Sequence, residues 1–389
     1  MSFKIPYGKQ FISDDDTKAV IEALHSDFLT QGPRIAEFEK NFAAYIGCKY
    51  AVAVSNGTAA LHLPLLAIDL KQGDNVITTP ITFAASANAA RYCGANVYFV
   101  DIDPDTYVMS VEALKILLEK HPKGFFKAVV PVDFTGFPVD LEKIRKLADE
   151  YGLFILEDAC HSPGGYFTDS KGKKQMCGNG NYANAAAFSF HPVKHIASGE
   201  GGMITTNDET LYKKILKLRT HGITKENLQY DFPDPSQQGA WYYEMQDLGY
   251  NYRITDIQAA LGNSQLKRAD SGIARRQEIA KKYREAFKGA PIKIQKENKD
   301  AFNAYHLFVV EVENRKGLYE FLIQNGIFAQ IHYVPVHLMP YYKQFGWKPG
   351  DFPNSEKYYK HCISLPMYPT LSNEEQNYVI EKVLKFVND

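Results

Sequence analysis

The sequence predicts an α/β protein with a large domain built on a mostly parallel sheet and a smaller C-terminal α/β domain. From about residue 50 to 220, short apolar or β-branched runs alternate with helical patterns, which is typical of β-α-β units. Residues 221–250 break this alternation, and a second, shorter alternation follows them. A length of 389 residues also favours two domains, which we place at 1–250 and 251–389.

The first alternation provides the strands of the large domain. Because helical patterns connect most of its strand runs, we expect neighbouring strands to be parallel and covered by helices on both faces. The predicted helices span 58–68, 83–92, 111–120 and 141–151. The predicted strands span 50–54, 75–78, 96–100, 126–132, 153–157, 185–189 and 203–206.

The interruption at 221–250 holds Pro233, Pro235 and Gly239 among polar and aromatic residues. An irregular stretch of this length is more often functional than not. After it, a single helical pattern runs from 254 to about 288. The smaller domain then follows, with predicted strands 306–312 and 328–332 and predicted helices 316–325 and 373–386.

Composition and charge exclude several classes of function. A formal net charge of -1 offers no basic field for nucleic acid or for an anionic membrane. No apolar run approaches the roughly 20 residues that cross a bilayer, and the start of the chain lacks a signal-peptide core. The five cysteines are scattered and lack metal-ligand spacing. We therefore expect a cytoplasmic protein without disulfides or a metal site.

Three short motifs carry candidate chemistry. Asp158 follows an apolar strand run, where an acid caps a helix, lies on the surface or belongs to a site. Lys194 follows another strand run and precedes a glycine cluster; such a lysine is either a solvated charge or a desolvated nucleophile. The segment 55–60 begins a helical pattern, where free N–H groups bind phosphate or a small polar residue caps the helix.

Together these motifs resemble the DegT/StrS-type sugar aminotransferases, which depend on pyridoxal phosphate (PLP) and have fold type I. The resemblance runs from Asp27–Pro33 to Ser364–Pro369, and its most specific block is Ser189–Lys194 with Gly199–Gly202. It implies that Lys194 forms the Schiff base and moves the proton, and that Asp158 pairs with the pyridine nitrogen of the cofactor.

The resemblance also implies the other cofactor contacts. His161 would lie near the phenolic oxygen, although a histidine at a helix start is the alternative. Phe83 would stack on the pyridine ring, unless it is an ordinary core residue. The phosphate would be bound by Gly57, Thr58, Ala59 and Ser189, and by Asn251 from a neighbouring subunit unless Asn251 is a turn residue. If Asn251 does contact the phosphate of a neighbouring subunit, the protein is a homodimer with shared active sites.

Within this family, the chain resembles enzymes that aminate carbon 4 of a UDP-linked 4-keto-6-deoxy-N-acetylhexosamine in pseudaminic acid biosynthesis. The motifs behind this are Gly239–Glu244, Thr220–Ile223 and Gln330–His337. Glutamate is the implied amino donor. Thr30, His332 and His337 are the implied contacts of the nucleotide sugar.

Three alternatives remain open at this point. One is an aminotransferase for another keto-sugar, such as a 3-keto sugar or a dTDP- or GDP-linked one. Another is a PLP-dependent sugar dehydratase, a class in which histidine replaces the lysine at position 194. The last is a non-catalytic scaffold or regulatory member, for which changes at Lys194 or Asp158 would be the sign.

Overall fold

The computed structural model describes residues 4–229 and 235–389. Residues 1–3 and 230–234 lie outside the described residues, and with them the first positions of the chain and Pro233 from the predicted interruption. None of the helices in the described part combines the length and the apolar character that crossing a bilayer requires.

The N-terminal segment consists of a short strand and two helices, and it leads into the alternation that the sequence predicts. The first elements are β1 (Ile5–Pro6), α1 (Asp14–Leu24) and α2 (Pro33–Ile46). There follow β2 (Tyr50–Val54), α3 (Gly57–Ala67), β3 (Asn75–Thr78), α4 (Ala85–Tyr92), β4 (Asn96–Phe99), α5 (Val111–Glu119), β5 (Phe126–Val129), α6 (Leu141–Tyr151), β6 (Phe154–Asp158), β7 (Tyr166–Thr168), β8 (Lys174–Met176), β9 (Ala185–Ser189), β10 (Gly202–Thr206) and α7 (Glu209–Arg219).

The rest of the chain has shorter strands and longer helices. These elements are β11 (Ile223–Thr224), β12 (Glu244–Met245), α8 (Asp256–Leu266), α9 (Ala269–Ala286), β13 (Lys293–Ile294), β14 (Ala301–Phe302), β15 (Phe308–Glu311), α10 (Arg315–Gln324), β16 (Ile327–Phe328), α11 (Pro340–Lys343), α12 (Pro353–His361), β17 (Cys362–Leu365) and α13 (Asn373–Asn388). Short 3-10 helices span Phe134–Gly136, Pro235–Gln237 and Val336–Leu338.

The central sheet has seven strands in the order β2-β10-β9-β6-β5-β3-β4. Strands β3 to β6 and β9 pair in parallel, whereas β10 runs antiparallel to both β9 and β2. The mostly parallel sheet is thus confirmed. Strand β10 runs the other way because residues 190–201, which connect it to β9, turn back without forming a helix.

The C-terminal part has its own antiparallel sheet, β13-β15-β17, whose apolar core includes side chains of α9, α10 and α13. Two pairings join it to earlier residues: β1 pairs with β16, and β14 pairs with β7. The seven-stranded sheet takes all its strands from before residue 250, and the division at 250 stays a prediction.

Two expectations for the C-terminal half are wrong. The helical pattern from 254 to 288 forms two helices rather than one. Near residue 267 the backbone hydrogen bonds change, with Lys267 and Arg268 donating to the carbonyls three residues earlier, of Ser264 and Gln265. The predicted strand 328–332 reaches only Phe328 in regular pairing, because this short edge strand pairs with the two residues of β1.

Candidate functional site

Three strand ends meet at one edge of the central sheet. The register places Gly202, the first residue of β10, opposite both Ser189 at the end of β9 and Val54 at the end of β2. Strand β6 ends beside β9 with Asp158 opposite Ala187. Because ligands of open α/β sheets bind at the carboxyl ends of the strands, this edge is the candidate site.

The start of helix α3 packs directly against Ser189. A Cβ atom added to Gly57 would lie 2.9 Å from the Cβ and 3.2 Å from the Oγ of Ser189, so this close approach requires glycine. The side chain of Asn56 caps the helix by accepting from the N–H of Ala59 at 2.8 Å. The first N–H groups of α3 and the hydroxyl of Ser189 thus form a seat for an anion such as phosphate.

One predicted phosphate contact is therefore corrected. The N–H of Ala59 already donates to Asn56 and is buried, so it is not a free donor for phosphate. The sequence left two alternatives for this helix start, which are capping and phosphate binding. The structure is compatible with both, because Asn56 caps α3 at the N–H of Ala59 while Gly57 and Thr58 form its first residues.

Asp158 is buried, with 5% of its surface exposed. Its carboxylate accepts from the Ser86 hydroxyl at 2.6 Å and from the Cys160 N–H at 3.2 Å. Among the described residues, no basic side chain lies within 4 Å of this carboxylate. A buried carboxylate that is held by neutral donors and lacks a counter-ion fits the protonated pyridine nitrogen of PLP.

Lys194 is mostly buried, and its Nζ lies 3.5 Å from Nε2 of His306. No carboxylate of residues 4–229 and 235–389 lies within 4 Å of it. Burial lowers the pKa of Lys194 to about 8, because the charged ammonium is desolvated. About a tenth of the side chain is therefore neutral amine at pH 7, and neutral amine is the nucleophilic form.

Four histidines surround Lys194. The rings of His161 and His306 lie 4.3 Å apart, and Nε2 of His195 donates to the carbonyl of Ala304 at 2.9 Å. The Nδ1 atoms of His161, His195 and His306 are buried without a hydrogen-bond partner. Burial lowers the pKa of these three and of His332, and the nearby Lys194 charge adds to this, so the cluster is neutral.

The sequence did not single out His306 or His195. His306 lies at the start of a predicted strand, and His195 directly follows Lys194. No sequence spacing relates His306 to Lys194, since the two residues are 112 positions apart in the chain. A titratable residue at the start of a predicted strand of the smaller domain was the one available signal.

These buried histidines predict acid sensitivity. In the unfolded chain each histidine binds a proton below about pH 6.5. Burial depresses the folded-state pKa, so the unfolded state binds more protons and folding stability falls as pH drops below about 6.5. For His306 this amounts to about 1.4 kcal/mol per pH unit. We expect the free energy of unfolding, measured with urea, to fall less between pH 6.5 and 5 in His306→Asn than in the wild type.

The matched control is His191→Asn, because His191 is exposed. Its unfolding free energy should follow that of the wild type over the same pH range. If His306→Asn loses stability with pH as steeply as the wild type does, His306 is not held neutral in the folded chain.

The remaining predicted residues differ in their surroundings. Phe83 is 62% exposed, so it is a surface aromatic available for stacking and not a core residue. His161 lies 3.4 Å from the hydroxyl of Tyr333, and His332 bonds Ser364 at 2.8 Å. Thr30 and Asn251 are both exposed, and each forms an isolated backbone bridge, to Thr255 and to Thr220.

The predicted role of His337 as a substrate contact is wrong. Its side chain is fully buried, and its Nε2 lies 3.1 Å from Oε1 of Glu356. The ring packs against Phe352 with the centroids 4.8 Å apart. His337 therefore forms part of the core beneath α12 and presents no atom to a ligand.

A second buried group lies on the other side of β6. Asp133, Glu157 and Cys177 have potential ligand atoms within 4.8 Å of one another. Burial raises the pKa of both carboxyl groups, and they lie close enough to share a proton. Ser162 and the N–H of Gly178 donate to them. This group therefore links Glu157 of β6 to the loops that contain Asp133, Ser162 and Gly178.

Comparisons with known proteins point to one family. The family model described as DegT/DnrJ/EryC1/StrS aminotransferase family matches residues 10–384. The chain is 41% identical to the spore coat polysaccharide biosynthesis protein SpsC of Bacillus subtilis, over 98% of the chain and 97% of that protein. It is 35% identical to the UDP-4-amino-4,6-dideoxy-N-acetyl-beta-L-altrosamine transaminase of Campylobacter jejuni, over 98% and 99%.

A solved structure has the same fold. Helicobacter pylori PseC, described as an aminotransferase involved in the biosynthesis of pseudoaminic acid, superposes with a TM-score of 0.87. The two chains are 32% identical, and the match covers 99% of each. The similarity therefore extends over both the central sheet, whose strand β9 leads into the segment with Lys194, and the C-terminal part.

Proposed function

The chain belongs to the DegT/DnrJ/EryC1/StrS aminotransferase family of PLP-dependent sugar aminotransferases, and from this premise we propose its substrates. We propose that it moves an amino group from glutamate to carbon 4 of a UDP-linked 4-keto-6-deoxy-N-acetylhexosamine. The observation that carries the chemistry is the lowered pKa of the Lys194 amine, in a site that also contains the buried Asp158.

Lys194 is the proposed attachment point of the cofactor and the carrier of the proton at the reacting carbon. When bound, PLP supplies the electron sink that stabilises negative charge at that carbon. A proton carrier must gain and lose its proton near neutral pH, and a pKa of about 8 suits both directions. His306, neutral and 3.5 Å away, orients the amine without adding a charge beside it.

Asp158 is the proposed partner of the ring nitrogen. Ser86 and the N–H of Cys160 fix both carboxylate oxygens, so the charge is oriented before the cofactor binds. Phe83 would cover one face of the ring, since its side chain is exposed at this edge. His161, held near Tyr333, would contact the phenolic oxygen.

The phosphate would be bound by the open end of α3 at Gly57 and Thr58, and by the hydroxyl of Ser189. We propose that Asn251, which is exposed, completes the phosphate site of a neighbouring subunit in a homodimer with shared active sites. All five cysteines are free thiols, which is consistent with the proposed cytoplasmic location.

The choice of sugar is supported by the Campylobacter transaminase and by Helicobacter PseC. Thr30 and His332 are the proposed contacts of the nucleotide sugar. The presence of Lys194 argues against the dehydratase alternative, in which histidine takes that position. The competing substrates are therefore other nucleotide keto-sugars.

A panel of nucleotide keto-sugars tests this proposal. With 15N-labelled glutamate, we expect kcat/KM for the UDP-linked 4-keto-6-deoxy-N-acetylhexosamine to exceed that for dTDP- and GDP-linked 4-keto-6-deoxyhexoses by at least about tenfold. Mass spectrometry and NMR should place the label on carbon 4. A preference for the dTDP or GDP sugar would overturn the UDP assignment. A product that has lost a hydroxyl without gaining nitrogen would indicate a dehydratase.

A further inference from the structure

A cavity of about 230 Å³ adjoins Lys194, between the N-terminal segment at Lys9, the first turn of α9 and the loop at Pro369. We propose that this cavity binds one carboxylate of the amino donor, a five-carbon amino dicarboxylate, and of its keto-acid product. The inference rests on the proposed function, because it names the subsite that the donor would occupy.

The cavity concentrates positive charge. Among the described residues that line it, five are lysine or arginine and none is acidic, although the whole chain has a net charge of -1. The basic residues are Lys9, Lys194, Arg268, Arg275 and Arg276. Such a one-sided lining in a nearly neutral chain creates a local field that favours an anion.

Not all of this charge is neutralised within the chain. Arg268 bonds Asp16, and Arg275 bonds Glu278 at 2.8 Å. Among the described residues, no carboxylate lies within 4 Å of Lys9, Lys194 or Arg276. Three of the five cations therefore lack a carboxylate partner.

Arg276 is the most informative of the three. It is 1% exposed, and its Nη1 donates to the neutral carbonyls of Tyr305, His306 and Met367. Its Nε is buried without a partner. A buried charge without a counter-ion is costly, and a carboxylate bound in the adjoining cavity would supply the missing negative charge.

The size of the cavity selects the ligand. Sites for drug-sized ligands enclose roughly 300–1,000 Å³, so this smaller cavity suits a short dicarboxylate and not a nucleotide sugar. Lys194 forms one wall. A dicarboxylate with one end among the arginines can therefore present its amino-bearing end to the lysine.

Gly272 offers a direct test, because it lines the cavity in the first turn of α9. Among the described residues, a Cβ atom added there would meet only Cγ of Pro369, at 3.6 Å, which is an ordinary van der Waals contact. Gly272→Asp places a carboxylate where the ligand's would lie, near Arg268 and Arg276 one helical turn away. Gly272→Asn is the matched neutral control.

The measurement is calorimetric titration of 2-oxoglutarate into the full-length, cofactor-loaded protein. We expect Gly272→Asp to bind at least about tenfold more weakly than Gly272→Asn, because the two side chains fill the same space and differ only in charge. Equal affinity of the Asp and Asn variants would overturn the inference. So would tighter binding of inorganic phosphate than of 2-oxoglutarate to the wild type, since the cavity would then be a phosphate site.

Two further readouts separate the possible failures. The visible absorption of bound PLP is recorded for each protein, and its absence in the wild type would contradict the proposed function rather than the cavity assignment. If Gly272→Asp does not fold, Lys9→Glu with Lys9→Gln as control replaces it, because Lys9 is exposed and lines the same cavity. Equal affinity of that pair would likewise overturn the inference.

Discussion

Replacing Lys194 by alanine is expected to remove the visible absorption band of bound PLP and to lower transamination by at least about 10⁴-fold. The variant loses the amine that attaches the cofactor and that moves the proton. Among the described residues, Lys194 is the lysine that lies within hydrogen-bond distance of His306. The measurements are the absorption spectrum with and without glutamate, and single-turnover rates.

Lys267→Ala is the control, because Lys267 is an exposed lysine at the junction of α8 and α9. It should keep both the band and the rate. An alanine variant at 194 that still shows a band bleached by glutamate would contradict the assignment of Lys194. A wild type that shows no band after PLP is supplied would contradict the proposed site as a whole.

The same lysine has a second signature that does not depend on turnover. A solvated lysine titrates near pH 10.4, whereas burial lowers the pKa of Lys194 to about 8. The neutral, acylatable amine therefore increases as pH rises through about 8. In the cofactor-free protein, labelling of Lys194 by an acylating reagent should reach half its maximal rate near this pH. A midpoint above pH 10 would show that Lys194 is solvated.

The sequence could predict the sheet and the main chemical residues because both depend on local pattern. Alternation of β-branched runs with helical patterns predicted the central strands, and the end of one strand made Asp158 a candidate site residue. Ser189 was implied by the family resemblance. Phe83 had two interpretations from the sequence, and its exposure distinguishes them. The alternation of strand and helix patterns does not report the direction of a strand such as β10. That direction depends on whether the segment that connects it to the preceding strand turns back.

Features that depend on distant contacts were beyond the sequence. The break between α8 and α9 coincides with Arg268 bonding Asp16, which is 252 residues away in the chain. His306 contacts Lys194 only because the C-terminal part folds onto the central sheet. His337 looked like a site residue from its motif, yet the partner that keeps it in the core, Glu356, lies on a later helix.

Asp158→Asn is expected to lower kcat/KM by about 10²–10³-fold while the variant still binds PLP. Asparagine keeps the size of the side chain, and its one oxygen can accept from the Ser86 hydroxyl or from the Cys160 N–H, but the negative charge is removed. Without that charge, the buried environment disfavours a protonated ring nitrogen, and the cofactor becomes a weaker electron sink. Stopped-flow rates with glutamate and with the keto-sugar measure both half-reactions.

Ser86→Ala is the informative companion to this change. The Ser86 hydroxyl bonds Oδ2 of Asp158 at 2.6 Å, so its removal weakens the orientation of the carboxylate without removing the charge. We expect a loss of about tenfold, which corresponds to one hydrogen bond to a charged group. Should Asp158→Asn lose no more activity than Ser86→Ala, the charge of Asp158 is dispensable. A much larger loss in the Asn variant means that the carboxylate acts through its charge, as pairing with a protonated ring nitrogen requires.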